Sequence, residues 1–178
     1  MTRKVNLLIP ALILILTMLL SGCSGVQIEE EVTKTNLHQT AENVCRGFFQ
    51  ALYKDDEELF RDCFYEGSID ADGVDVMGEY RQLVDPDYRF VGTLHMATRP
   101  CDDDNGLNTD TVRENIAFFN GVSEDKIDEI VLVSVKTFFE IGEEKKENKS
   151  IEIYSIVYRS EGQWYFFSMV DRTAKEAK

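Results

Sequence analysis

Cys23 stands directly behind Leu20-Ser21-Gly22, at the end of an apolar run from Val5 to Leu20. Cysteine is intrinsically a strong nucleophile, and the small side chains of Ser21 and Gly22 leave a backbone thin enough to enter a peptidase site. A second group with chemical potential is "SIDADGVDVMGE", residues 68–79. Asp70, Asp72, Gly73 and Glu79 stand at positions 3, 5, 6 and 12 of a twelve-residue calcium loop, which needs oxygen ligands and one turn-forming glycine. Ser68 at position 1 and Asp75 at position 8 depart from that pattern, and acidic turns with glycine are common as plain solvated loops. "CDDDNG" departs further, with Cys101 at position 1 and Val112 at position 12. No His/Cys cluster has zinc spacing and no Gly-rich phosphate loop occurs, so no cofactor is expected.

The elements around Cys23 decide where its thiol works. Arg3 and Lys4 form a short positive head, and the run behind them is 16 residues, interrupted by Asn6, Pro10 and Thr17. That is shorter than the ~20 residues needed to cross a bilayer core, and the pattern is that of a secretory signal peptide. Leu20-Ser21-Gly22-Cys23 resembles the lipobox of bacterial lipoproteins. The resemblance implies cleavage between Gly22 and Cys23 and a diacylglyceryl thioether on Cys23, which becomes the first mature residue. Two acyl chains anchor stably, each buried methylene contributing ~0.8 kcal/mol. The expected location is the outer face of a bacterial cell membrane; the alternative is an uncleaved anchor helix in which Cys23 is incidental.

Removing residues 1–22 leaves 156 of 178 residues, enough for one compact domain. It is too small for the two-lobed solute-binding component of an importer, whose lobes need a domain each. All 33 acidic residues remain, against 17 of the 19 basic ones, so the mature chain carries a formal −16. Such a surface repels phosphate backbones and anionic headgroups, which excludes nucleic acid as a partner and leaves membrane attachment to lipid. Solubility explains the charge in the ordinary case, and attraction of cations or basic peptides is the sharper reading.

Three cysteines follow Cys23: Cys45, Cys63 and Cys101. Outside the cytoplasm a disulfide persists, but an odd number cannot pair completely within one chain. Cys45 and Cys63 each lie 9 residues from a turn near Lys54, so a helical hairpin would bring them level. Either they form a disulfide, or they pack as two small buried hydrophobes. The second is preferred, because sequence cannot supply the ~5.5–6 Å Cα separation a bridge needs.

Ser24 to Asn36 is polar and acidic and reads as a tether, reaching at most ~45 Å. A single domain then spans 37–178. Val44, Phe48 and Leu52 recur every four residues, flanked by Ala41, Cys45 and Phe49, which predicts a helix. Asp55 to Glu58 has capping-box spacing before a second short helix that buries Leu59, Phe60, Cys63 and Phe64 and stops near Gly67. Val74 to Val84 reads as a short helix, Tyr88 to Ala97 as a strand, and Thr111 to Glu114 as a capping box opening a helix that stops at Asn120-Gly121. Val131, Val133, Val135, Thr137, Phe139 and Ile141 share one strand face, and "SIEIYSIVYRS" and "WYFFSMVD" are two more strands around the turn Glu161-Gly162. The expected class is α+β, with N-terminal helices packed on a curved antiparallel meander.

"FFQALYKDDEELFRDCF" and "EGQWYFFSMVD" carry a resemblance to the nuclear transport factor 2-like superfamily, which includes ketosteroid isomerase-like proteins. The first is similar to that family's opening aromatic-rich helix, acidic turn and second short helix; the second is similar to its closing strand. Residues 65–110 match nothing in it. The resemblance implies a cone-shaped fold, often with a pocket, and many exported lipoproteins of this fold have no known activity. In enzymes that use the pocket, a carboxylate abstracts a proton and a tyrosine or protonated acid stabilises the oxyanion. By that resemblance Tyr53 would face the pocket, with His95 or Asp171 as base and Trp164 in its lining; otherwise these are ordinary surface, strand and core residues. The expected function is a membrane-anchored module that binds an unknown small ligand or an envelope protein. The alternative is a small lyase or isomerase using that pocket.

Overall fold

The computed structural model describes residues 31–69, 75–83, 88–102, 104, 106–141 and 147–170. Gly22, Cys23, Asp70, Asp72 and Asp171 lie outside them. Contacts divide the chain into Met1–Glu31 and Val32–Lys178, and the elements below belong to the second unit. Its packing begins at Val32, inside the segment read as tether. Val32 is 3% exposed, its N–H donates to Gln50 Oε1 at 3.1 Å, and Gln50 Nε2 donates back to its carbonyl at 3.0 Å. Thr33 N–H donates to Asn36 Oδ1 at 2.8 Å, which closes a turn into the first helical segment.

Among the described residues a 3-10 helix, Leu37–Gln39, leads into α1 (Ala41–Lys54), α2 (Glu57–Asp62) and α3 (Val76–Leu83). Strand β1 (Tyr88–Pro100), α4 (Thr109–Asn120), a 3-10 helix (Glu124–Lys126), β2 (Ile127–Ile141), β3 (Glu147–Ser160) and β4 (Gln163–Val170) follow. The class is α+β. The four described strands form one antiparallel sheet in the order β1-β2-β3-β4.

Helix α1 forms because Val44, Cys45, Phe48 and Ala51, all 0% exposed, fall on one face at helical spacing. Thr40 caps its start by accepting from Asn43 N–H at 3.0 Å. Its end corrects the sequence reading by one residue. Asp55 adopts the left-handed conformation (φ 60°) that terminates α1, and Asp56 caps α2, accepting from Leu59 N–H at 3.0 Å. The chain reversal consumes Asp55, so the capping role passes to its neighbour. Likewise α4 is capped by Asn108, whose side chain accepts from Thr111 N–H at 2.9 Å, so Thr111 lies within the first turn.

Both faces of β2 are covered. Val131, Val133 and Val135 pack with α1 and α2 in one cluster, while Ile130 and Leu132 pack with Val112 and Ile116 of α4 in another. The sequence reading grouped Val131, Val133 and Val135 on one strand face and assigned no role to the other. A strand buried on both sides reads as a continuous apolar run, as "IVLVSV" does. On the α1 side Phe48 stacks on Phe166 of β4, ring centroids 3.9 Å apart and planes within 5°, with Phe60, Phe64 and Tyr80 around them. The turn between β3 and β4 has positive φ at Glu161 (53°) and Gly162 (81°), the pattern of a two-residue I′ hairpin.

Candidate functional site

A cleft of about 620 Å³ opens where the end of α2 meets the start of β4. Three segments build it. The 3-10 helix presents His38, held in place by the fully buried Leu37. The α2 exit presents Arg61, Asp62, Tyr65, Glu66 and Gly67. The β3–β4 hairpin presents Glu161, Gln163 and Tyr165. Period-2 alternation places Tyr165 on the cleft side, while its neighbour Phe166 is buried in the α1-side core.

His38 Nδ1 lies 2.7 Å from the Trp164 carbonyl oxygen. A carbonyl only accepts, so Nδ1 carries a proton and donates it to that oxygen. The His38 ring lies 5.0 Å from the Tyr165 ring. Tyr165 is further flanked by Tyr65 at 5.2 Å and by Tyr158 at 5.7 Å, and its hydroxyl donates to Gln163 Oε1 at 2.7 Å. Burial pushes the Tyr165 hydroxyl pKa up, with Tyr65, Glu161 and Glu66 adding to the effect, so the phenol stays neutral around pH 7. Tyr158, beneath it, is buried and accepts from Asn120 Nδ2 at 2.9 Å; burial raises its pKa as well.

The rim is acidic. Asp62 pairs with Lys34 at 3.0 Å, and Glu161 pairs with Lys126 at 2.7 Å. Arg61 is held by Glu57 at 3.0 Å. Glu66 is exposed and, among the described residues, has no ion-pair partner.

The residues singled out from sequence are not gathered here. Tyr53 is 46% exposed near the end of α1, outside the cleft lining. His95 lies on β1 opposite Lys136, and Trp164 lies on β4 opposite Arg159. Three strand spacings and the offset in register put their backbones roughly 20 Å or more apart. Trp164 contributes its carbonyl to His38, while its ring faces the Arg159 guanidinium at 5.5 Å. Asp171 lies outside the described residues. His38 was missed although it is one of two histidines in the chain. The alternation within "WYFF" assigns Tyr165 to the opposite face from Phe166, a signal that could have marked it as a lining residue.

Among the described residues no group of three or more His, Cys, Asp or Glu side chains could hold a metal. Of the calcium-loop residues, Asp70 and Asp72 lie outside the described residues, and Glu79 is exposed in the first turn of α3. Asp75, at the loop's eighth position, accepts from Gly78 N–H at 2.8 Å and so caps that helix. Cys45 and Cys63 are free thiols, both 0% exposed, and Cys63 Sγ donates to the Leu59 carbonyl at 3.2 Å. They pack as small hydrophobes. No protein-family model, curated protein or solved structure matches this chain.

Proposed function

We propose that this chain is an exported lipoprotein, anchored through acylated Cys23, whose acidic α+β domain binds a ligand in the cleft between α2 and β4. The observation that carries the binding role is the cleft itself. Its volume of about 620 Å³ lies within the ~300–1,000 Å³ range of small-molecule sites, and its polar groups are positioned by hydrogen bonds from a folded framework. The leader and Leu20-Ser21-Gly22-Cys23 support the anchor. Helices preceding an antiparallel meander support a nuclear transport factor 2-like assignment of the domain.

Mass spectrometry of the mature N-terminus, with any co-purifying ligand, tests both parts. A diacylglyceryl-cysteine at position 23 and its loss in Cys23→Ala are expected, with the variant leaving the detergent phase. Unchanged processing and partitioning of Cys23→Ala would overturn the anchor. The binding role is tested by nuclear magnetic resonance with a fragment set of mixed charge. Shifts are expected at Tyr65, Gln163 and Tyr165, and their absence would overturn it.

A further inference from the structure

The cleft presents acceptors and electron-rich rings to its contents. His38, held by donation from its Nδ1 to the Trp164 carbonyl at 2.7 Å, lines the cleft with its ring. The Tyr165 oxygen donates to Gln163 and still has lone pairs to accept with. Glu66, the residue after Tyr65 in the lining, adds a carboxylate with no ion-pair partner among the described residues. Of the other charged lining side chains, Asp62 pairs with Lys34 at 3.0 Å, Glu161 with Lys126 at 2.7 Å and Arg61 with Glu57 at 3.0 Å, so among the described lining residues the unpaired charge is that of Glu66.

We propose that this cleft binds a donor-rich organic cation, a guanidinium or a primary alkylammonium group, an inference that rests on reading the cleft as a ligand site. Each wall has a matching role. The tyrosine faces attract positive charge through the ring quadrupole. Glu66 accepts a charge-assisted hydrogen bond, and the Tyr165 oxygen accepts one more N–H. An anion would meet the unpaired Glu66, whereas the acidic body as a whole raises the local concentration of cations. The same group occurs on a free small molecule and on an arginine or lysine side chain of a polypeptide.

Calorimetric titration and nuclear magnetic resonance on the full chain in detergent test this with butylguanidinium, butylammonium, the uncharged isostere butylurea, and acetyl-Gly-Arg-Gly-amide. Butylguanidinium or butylammonium is expected to shift the Tyr65 and Tyr165 resonances and to bind about tenfold or more tighter than butylurea. Its affinity is expected to fall at about 1 M salt. Glu66→Gln and Tyr65→Leu are each expected to weaken binding about two- to fivefold, and Tyr65→Phe, which keeps the ring, to leave it unchanged. A blocked peptide that binds as tightly as butylguanidinium supports the proposal with a polypeptide source; a peptide about tenfold weaker supports it with a free small cation. Equal binding of butylurea overturns the cation inference and leaves the ligand-site reading standing. Failure of all four probes to move these resonances also overturns it, while the ligand-site reading falls only if the mixed-charge fragment set leaves them unmoved too.

Discussion

The backbone N–H of Phe166 donates to the carbonyl of Cys63 at 2.8 Å, joining the outer edge of β4 to the exit of α2. The Trp164 carbonyl points to the same side of the strand, two residues away, and accepts from His38 at 2.7 Å. Between them these bonds occupy one N–H and one carbonyl of the edge that could otherwise template another strand. They also fix the cleft, since His38 lines it and Cys63, Trp164 and Phe166 adjoin its lining residues Phe64 and Tyr165 in the chain. His38→Ala removes the donor and leaves a half-buried carbonyl without it. The expected loss is about 1–2 kcal/mol, read as a lower urea midpoint with an unchanged slope, and His38→Asn is expected to recover part of it.

Phe166 is the hinge between core and cleft. Its ring stacks on Phe48 at 3.9 Å and is 0% exposed, while the next residue back, Tyr165, lines the site. Phe166→Ala opens a cavity and is expected to cost about 3–5 kcal/mol, a large part of a typical 5–15 kcal/mol total. Tyr165→Phe keeps the ring and loses only the hydrogen bond to Gln163, so about 1 kcal/mol or less is expected. Equilibrium urea unfolding of the two variants separates the roles.

The helices and the meander were legible because their signals are local. The four-residue recurrence of Val44 and Phe48 and the Glu161-Gly162 turn need no tertiary knowledge. Cap positions were off because three adjacent candidates, Asp55, Asp56 and Glu57, differ only in where the chain reverses. The cleft was not legible. It joins His38, Tyr65 and Tyr165, which are distant in sequence, and its polarity depends on which imidazole nitrogen faces a carbonyl. Burial of both faces of β2 was visible in composition but not in period, since a run of valines and leucine has none.

Gly47 sits mid-helix in α1 for lack of room. A Cβ there would meet Leu37 Cδ1 and stand 3.3 Å from Val32 Cγ1. Leu37 is fully buried and cannot swing into solvent. Alanine improves helix propensity by ~1 kcal/mol, but overpacking costs about 1–3 kcal/mol. Gly47→Ala is therefore expected to destabilise by about 1 kcal/mol net, and Gly47→Val by more. A thermal scan that raised the midpoint of either would show that the 3-10 segment yields.

Phe118 and Phe119 close α4 with exposures of 81% and 64%, edge-to-face with one another at 5.1 Å. Neither belongs to either core cluster. Serine at either position is expected to change stability by less than about 0.5 kcal/mol, in contrast to Ile116→Ala one turn earlier, where about 2–5 kcal/mol is expected. Denaturant titration of the single variants provides the check.

Stability should fall on the alkaline side. Burial pushes the thiols of Cys45 and Cys63 above their ordinary 9.0. Burial likewise raises the phenols of Tyr80, Tyr158 and Tyr165 above 10.0. In the unfolded chain these groups ionise at about their ordinary values, while the folded chain keeps the protons. Below pH ~9 both states are protonated and the contribution is complete; above it the unfolded state gains by releasing protons first. Each group contributes at most about 1.4 kcal/mol per pH unit over that window. The urea midpoint is expected to decline steadily from pH 9 to 11, and more shallowly between 9 and 10 in a Cys45→Ala/Cys63→Ala double variant. A midpoint flat to pH 11 would mean that water reaches these side chains in the folded state.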